Sequence, residues 1–210
     1  HYGKFELEPL ERGFGITLGN ALRRVMLSSM PGTAIVAVKI DGVMHEFQTM
    51  DGVIEDVTTI VLNLKNVVIR SDSKEVKRAH LFVNEERVVT AADIVCDDDV
   101  EIINKDQVIA TLAKGGKLDM EFIIASGRGA SLSSANKKYI SDLTLGFIPI
   151  DALYSPVELV VPTVDKTRVG QDGTYDKLTM EVQTNGSIRP EEAMALSAKI
   201  LIEHLNIITN

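Results

Sequence analysis

The sequence predicts an α+β protein built from a discontinuous outer domain and an inserted β-rich one. Three observations lead there. Alternating polar and apolar residues mark strands at both ends of the chain, two long helical-period stretches accompany them, and the middle is a succession of short strands between polar turns. The outer domain, residues 1–31 and 157–210, would hold a sheet and two amphipathic helices. Residues 32–156 would form the insert.

Tyr2 to Leu7 alternate in period two, and Glu11-Arg12-Gly13-Phe14-Gly15 then makes a glycine-punctuated turn. From Thr17 to Met30 the apolar residues Leu18, Leu22 and Val25 recur at helical spacing until Pro31-Gly32 stops the run. Strand alternation resumes from Thr33 to Ile40, with a turn at Asp41-Gly42. The middle reads as a short helix near Val53 to Leu62 and strands at Val67 to Arg70, Val100 to Ile103 and Leu118 to Ala125. The polar stretch Ser126 to Ser141 is expected to be a loop. Leu159 to Val164 and Lys177 to Gln183 return to period two, joined through Gly170 and Gly173 as a hairpin. Ser187, Pro190 and the Glu191-Glu192 pair signal the start of a helix that continues to about Ile208.

A chain of 210 residues with 45% hydrophobic content can bury a substantial core. Its 22 basic residues are outnumbered by 30 acidic ones, and a net charge of −8 provides no electrostatic footprint for a phosphate backbone, so direct nucleic-acid contact is not expected. The single cysteine, Cys96, can form no internal disulfide and anchors no zinc site, which suits a reducing, cytoplasmic setting. No apolar run reaches the ~20 residues of a membrane span, and no signal-peptide layout opens the chain. Because His1 already lies inside what reads as a strand, the natural chain is expected to start further upstream.

Chemical readings find little to hold them. The glycines at 13, 15 and 19 precede a helix, but a dinucleotide loop needs the third glycine at position six rather than seven, and no Gly-Lys-Ser/Thr ending follows. A tight strand-to-helix turn is the better reading, with a free-standing nucleotide-binding enzyme using Gly13 to Gly19 as the alternative. Asp97-Asp98-Asp99 diverge in a strand or turn and suit a solvated turn, and His1, His45, His80 and His204 form no ligand pair. No catalytic residue, metal, cofactor or small-molecule substrate is expected. Cys96 or a serine as nucleophile could be paired with a histidine only arbitrarily.

The helices carry more. On the last one Met194, Ala198, Leu201, Leu205 and Ile208 follow four-three-four-three spacing, widened by Ala193, Leu196, Ile200 and Ile207. Either the chain's own sheet covers this stripe or a partner shares it. On the first helix Thr17, Asn20, Arg24 and Ser28 share a polar face beside Leu18, Leu22 and Val25. A lone arginine among small hydrogen-bonding residues suits a protein interface as well as an ordinary exposed flank.

The run Glu8-Pro9-Leu10-Glu11-Arg12-Gly13-Phe14-Gly15, then Leu18-Gly19-Asn20-Ala21-Leu22-Arg23-Arg24 and Leu27-Ser28-Ser29-Met30-Pro31-Gly32, closely resembles the amino-terminal domain of the bacterial RNA polymerase alpha subunit. Further blocks resemble it at Ile40-Asp41-Gly42-Val43, His45-Glu46-Phe47, Leu62-Asn63-Leu64-Lys65, Tyr154-Ser155-Pro156-Val157, Tyr175-Asp176-Lys177-Leu178 and Glu191-Glu192-Ala193 to His204-Leu205. The resemblance covers almost the whole chain. It implies a non-catalytic scaffold of DNA-directed RNA polymerase that homodimerises and recruits the beta and beta-prime subunits. The dimer interface it implies comprises Phe14, Leu18, Leu22 and Val25 with Met194, Ala198, Leu201, Leu205 and Ile208. Gly13, Asn20, Arg24, His45 and Glu46 would face beta, and Lys65, Ile150 and Asp151 beta-prime. The family's Arg-Gly-Arg-Gly-Tyr run reads Ser126-Gly127-Arg128-Gly129-Ala130 here, so contacts by that first arginine and tyrosine do not carry over. The family's carboxy-terminal DNA-contacting domain has no counterpart in these residues, and DNA binding is not transferred to them.

Overall fold

A computed structural model describes residues 1–141 and 145–210. In chain order the elements are β1 (Tyr2–Leu10), α1 (Phe14–Ser28), β2 (Pro31–Ile40), α2 (Val57–Lys65), β3 (Ile69–Ser71), β4 (Lys77–Val83), β5 (Val88–Thr90), β6 (Val100–Ile102), β7 (Val108–Thr111), β8 (Leu118–Arg128), β9 (Ala130–Ser131), α3 (Ser133–Asn136), β10 (Ile148–Pro149), β11 (Ala152–Leu153), β12 (Val157–Val169), β13 (Asp172–Thr184) and α4 (Pro190–Thr209). The fold is α+β. It divides into two compact units, one of His1–Pro31 with Ser155–Asn210 and the other of Gly32–Tyr154. Sequence patterning places the second boundary after Pro156; here Ser155 and Pro156 go with the outer unit, where the Asn185 N–H donates to the Pro156 carbonyl at 2.9 Å.

The outer unit is a three-stranded antiparallel sheet in the order β1-β13-β12, with β13 central. Period-two alternation turns Leu178, Met180 and Val182 of β13 to one face, where α1 and α4 cover them. Met26, Met30, Val160, Ala193 and Ile200 complete that core. The hairpin turn lies at Gly170, whose φ of +62° suits glycine; Gly173 is already within β13. Helix α4 starts as its acidic first turn and Pro190 predict, but Arg189, not Ser187, is its cap residue, because Ser187 is engaged by the Asn185 side chain.

The inserted unit is a six-stranded sheet in the order β4-β8-β2-β3-β6, with β10 pairing β2. Residues Phe122 to Ala125 of β8 are buried without alternation because both faces of the sheet are covered. Phe122 and Ile124 join a large core with Leu81, Ile60 and Leu64, while Ile123 and Ala125 join a smaller one with Val36, Phe147 and Tyr154. Helix α2 begins four residues later than its sequence signal, since the Asp56 side chain caps it by accepting from the Thr59 N–H at 2.8 Å. The stretch Ser126 to Ser141 is more ordered than its polarity suggests. It contains β9 and α3, pinned by Asn136, which is 1% exposed and donates to the Ile150 carbonyl at 2.7 Å.

Candidate functional site

The glycine-rich turn resolves first. Helix α1 starts at Phe14, three residues earlier than periodicity indicates, so Gly15 and Gly19 are helical and buried. A Cβ on Gly15 would fall 2.8 Å from Val164 Cγ1, and one on Gly19 would fall 3.0 Å from Leu178 Cδ1 and 3.1 Å from Pro162 Cβ. These glycines let the helix lie directly on β12 and β13. Amide donors that a phosphate would use are taken: Gly13 and Gly15 donate to Asp176 Oδ2 at 2.9 and 3.1 Å, and Phe14 to the Glu11 carbonyl at 3.0 Å. Burial alone would push the Asp176 carboxyl up, but the Gly15 and Gly13 amides and the Lys166 ammonium, 3.5 Å away, together hold it below the usual carboxylate range.

Glycine packing also rotates α1 relative to the expected apolar face. Gly15, Gly19, Leu22 and Met26 point inward, while Leu18 and Val25 are half-buried at the flanks. Leu22, expected at a partner interface, is 6% exposed and belongs to the chain's own core; the close approach permitted by the glycines draws it in. Phe14 stays 48% exposed, and Ile16, which periodicity does not single out, is 61% exposed. Thr17, Asn20, Arg24 and Ser28 share the exposed face. Among the described residues no ion pair engages Arg23 or Arg24.

Helix α4 is two-part. Ala193, Ser197 and Ile200 are buried, with Met194, Ala198 and Leu201 half-buried against the same core. From Ile202 onward every residue is exposed: Ile202 58%, Leu205 56%, Ile207 77% and Ile208 81%. The last two turns thus hold large apolar side chains clear of the chain's own core. Ile202 escapes the heptad-like stripe and is visible only as an extra apolar residue beside it.

In the inserted unit His45 is exposed, its Nδ1 accepting from the Phe47 N–H at 3.2 Å, and the half-buried Glu46 offers its carbonyl to Thr58 Oγ1 at 2.8 Å. That ties the segment to the start of α2. Met44, Phe47, Ile54 and Leu62 of this unit are exposed large apolar residues that hydropathy patterning does not mark. Lys65 and Asp151 pair with each other at 3.5 Å. Asp151 is held below the usual carboxylate range chiefly by the Ser133 N–H at 2.7 Å, with Lys65 adding to it. Ile150, expected at a partner surface, is 2% exposed, with its side chain in the chain's own core and its N–H given to the Val36 carbonyl; the alternation that leaves Asp151 half-exposed turns its neighbour inward.

Among the described residues no group of histidine, cysteine, aspartate or glutamate could hold a metal, and no helix is long and apolar enough to cross a membrane. Asp97, Asp98 and Asp99 are exposed, and Asp99 pairs with Lys77 at 2.9 Å. Burial, with Asp97 and Asp99 nearby, pushes the Cys96 thiol up, away from the thiolate a nucleophile needs.

The fold is thus an α+β chain with a discontinuous outer unit, exposed apolar residues on its helices and an inserted β unit. Residues 38–155, more than half of the chain, match the family model of the RNA polymerase Rpb3/RpoA insert domain, and the chain belongs to that family. Over 206 residues it is 53% identical to the DNA-directed RNA polymerase subunit alpha of Moorella thermoacetica, 55% to that of Oceanobacillus iheyensis and 57% to that of Desulforamulus reducens. Each alignment covers 98% of this chain and 65% of the relative, so the chain spans about two-thirds of the length of these curated relatives.

Proposed function

We propose that the chain is a non-catalytic assembly scaffold of a cytoplasmic, DNA-directed RNA polymerase, acting in transcription as one component of a nucleotidyltransferase complex. It pairs with a second copy through α1 and α4 of the outer unit. The pair then recruits the beta subunit through the exposed α1 face around Asn20 and Arg24 and through the His45-Glu46 segment, and beta-prime through Lys65 and Asp151.

The observation that carries this is the open outer half of α4. Four large apolar residues within seven positions, 56–81% exposed, are more than an isolated chain leaves in water without purpose, and two-fold self-association is the commonest way to cover such a face. Arg24, exposed and in no ion pair among the described residues, supports a charged contact with a partner, and the identity to alpha subunits supports the polymerase as the assembly. Asp176 filling the α1 amide end argues against a nucleotide there.

Sedimentation tests the first step: the sedimenting species should have twice the 23.0 kDa chain mass at micromolar concentration. A 23.0 kDa monomer would refute self-association. Capture of purified beta, then beta-prime, by the tagged chain tests the second, and failure to retain either subunit would refute recruitment.

A further inference from the structure

Asp176 is a carboxylate with 3% side-chain exposure that the scaffold reading leaves without a role. Helix α1 provides nothing for its own amino end. Gly13 has no capping side chain, and the first turn contains no acidic residue. Free amides at a helix start need acceptors, and the positive end of the helix dipole favours an anion. Both needs are met from a distant strand, since Asp176 Oδ2 accepts from the Gly13 and Gly15 amides across 163 and 161 residues of sequence.

Register places this carboxylate under the turn. In β13, Asp176 lies opposite Leu10, the last residue of β1, and opposite Lys166 in β12. Gly13 is in the left-handed region at φ +93°, and a Cβ on Gly15 would come within 3.0 Å of Asp176 Oδ2 and 3.2 Å of its Cβ. The strand end, the turn and the first helical residues therefore close on one side chain. Phe14, exposed and first in the helix, sits between the two clamped glycines.

From this geometry we infer that Asp176 is a positioning residue that clamps the first turn of α1 and so sets how Phe14 and Ile16 are presented to an assembly partner. The clamp stands on its own geometry; its service to assembly rests on the scaffold reading proposed above.

The test uses the full chain, with amide hydrogen exchange read residue by residue and self-association read by sedimentation. Asp176→Asn keeps the shape but removes the charge, and should speed exchange at Gly13 and Gly15 on the order of tenfold while β8 and the buried half of α4 keep their protection. Lys166→Met removes only an exposed cation and should leave both amides within about twofold of the native rate. The dissociation constant of the pair should rise on the order of tenfold for Asp176→Asn and stay near native for Lys166→Met. Unchanged exchange at Gly13 and Gly15, or acceleration spread evenly through the outer unit, overturns the clamp. Local loosening with unchanged association overturns its service to assembly. If Asp176→Asn does not fold, the native chain supplies the reading: the Asp176 carboxyl carbon and the two amide protons should shift together on one acid titration, and amides that do not follow overturn the clamp. A native chain that never self-associates would sink the scaffold reading, while the exchange comparison still decides the clamp.

Discussion

Shortening Leu205 should weaken self-association and do little else. Its side chain is 56% exposed in the isolated chain, so about half of a burial worth ~2 kcal/mol for leucine remains to be gained, roughly 1 kcal/mol. A two-fold interface contains the residue twice, which brings the loss for Leu205→Ala to about 2 kcal/mol per pair. At 1.4 kcal/mol per tenfold, the dissociation constant should rise about thirtyfold. Leu205 lies outside the chain's own core, so unfolding of the separated chain should change by no more than about 0.5 kcal/mol. Val161→Ala is the control. Val161 is 37% exposed and projects from the sheet face opposite the one Val160 and Val164 turn to the helices, so its shortening should leave association unaltered. Sedimentation equilibrium across a concentration series reads both. Equal constants for Leu205→Ala and Val161→Ala, or a thirtyfold effect from Val161 alone, would refute the assignment of the α4 face. Leu201 is a poorer probe because it is half-buried against the chain's own core, where truncation also disturbs folding.

Arg24→Ala should leave the pair intact and weaken beta capture by about 2–5 kcal/mol if its guanidinium meets a buried acid, whereas Arg23→Ala, about a third of a turn away, should have a smaller effect; pull-down of beta beside sedimentation of each variant decides it. Gly15→Ala should destabilise the outer unit by about 1–3 kcal/mol through overpacking against Val164, measured by denaturant unfolding, and an unchanged midpoint would contradict the close approach of α1. Asp93, whose carboxyl the Arg87 guanidinium at 2.8 Å holds below the usual range, contributes stability that is complete above the unfolded carboxylate pKa and lost as pH falls through the lower folded value. Thermal unfolding of Asp93→Asn should therefore converge with the native chain in acid and fall below it at neutral pH. Calorimetry with nucleoside triphosphates should detect no binding at micromolar concentration, and a micromolar site would revive the enzyme reading.

Much of the fold was legible because local patterns encode it. Period-two runs announce β1, β12 and β13, and Pro190 with Glu191 and Glu192 announces α4, since side-chain alternation and helix-end charge are properties of short segments. The apolar stripe of α4 was legible from its spacing, but not where its exposed half begins: the spacing runs on from Met194 to Ile208, and Ile202 emerges as open only once the core stops at Leu201. The rotation of α1 was not legible. Hydropathy ranks Leu18 and Val25 as the buried residues, whereas contact distance favours Gly15 and Gly19, because a missing side chain lets two backbones approach.

By itself, then, the sequence determined the α+β class, most of the elements and the family resemblance, all carried by spacing and by contiguous blocks of residues. Only tertiary structure decided that Leu22 and Ile150 turn inward, that Lys65 pairs with Asp151, and that Asp176 closes the turn before α1. Those pairings depend on strand register. Asp176 lies on the same face of β13 as Leu178, Met180 and Val182, and a slip of one residue against β1 and β12 would turn its carboxylate to the opposite face of the sheet, leaving the amides of Gly13 and Gly15 with no anion to meet.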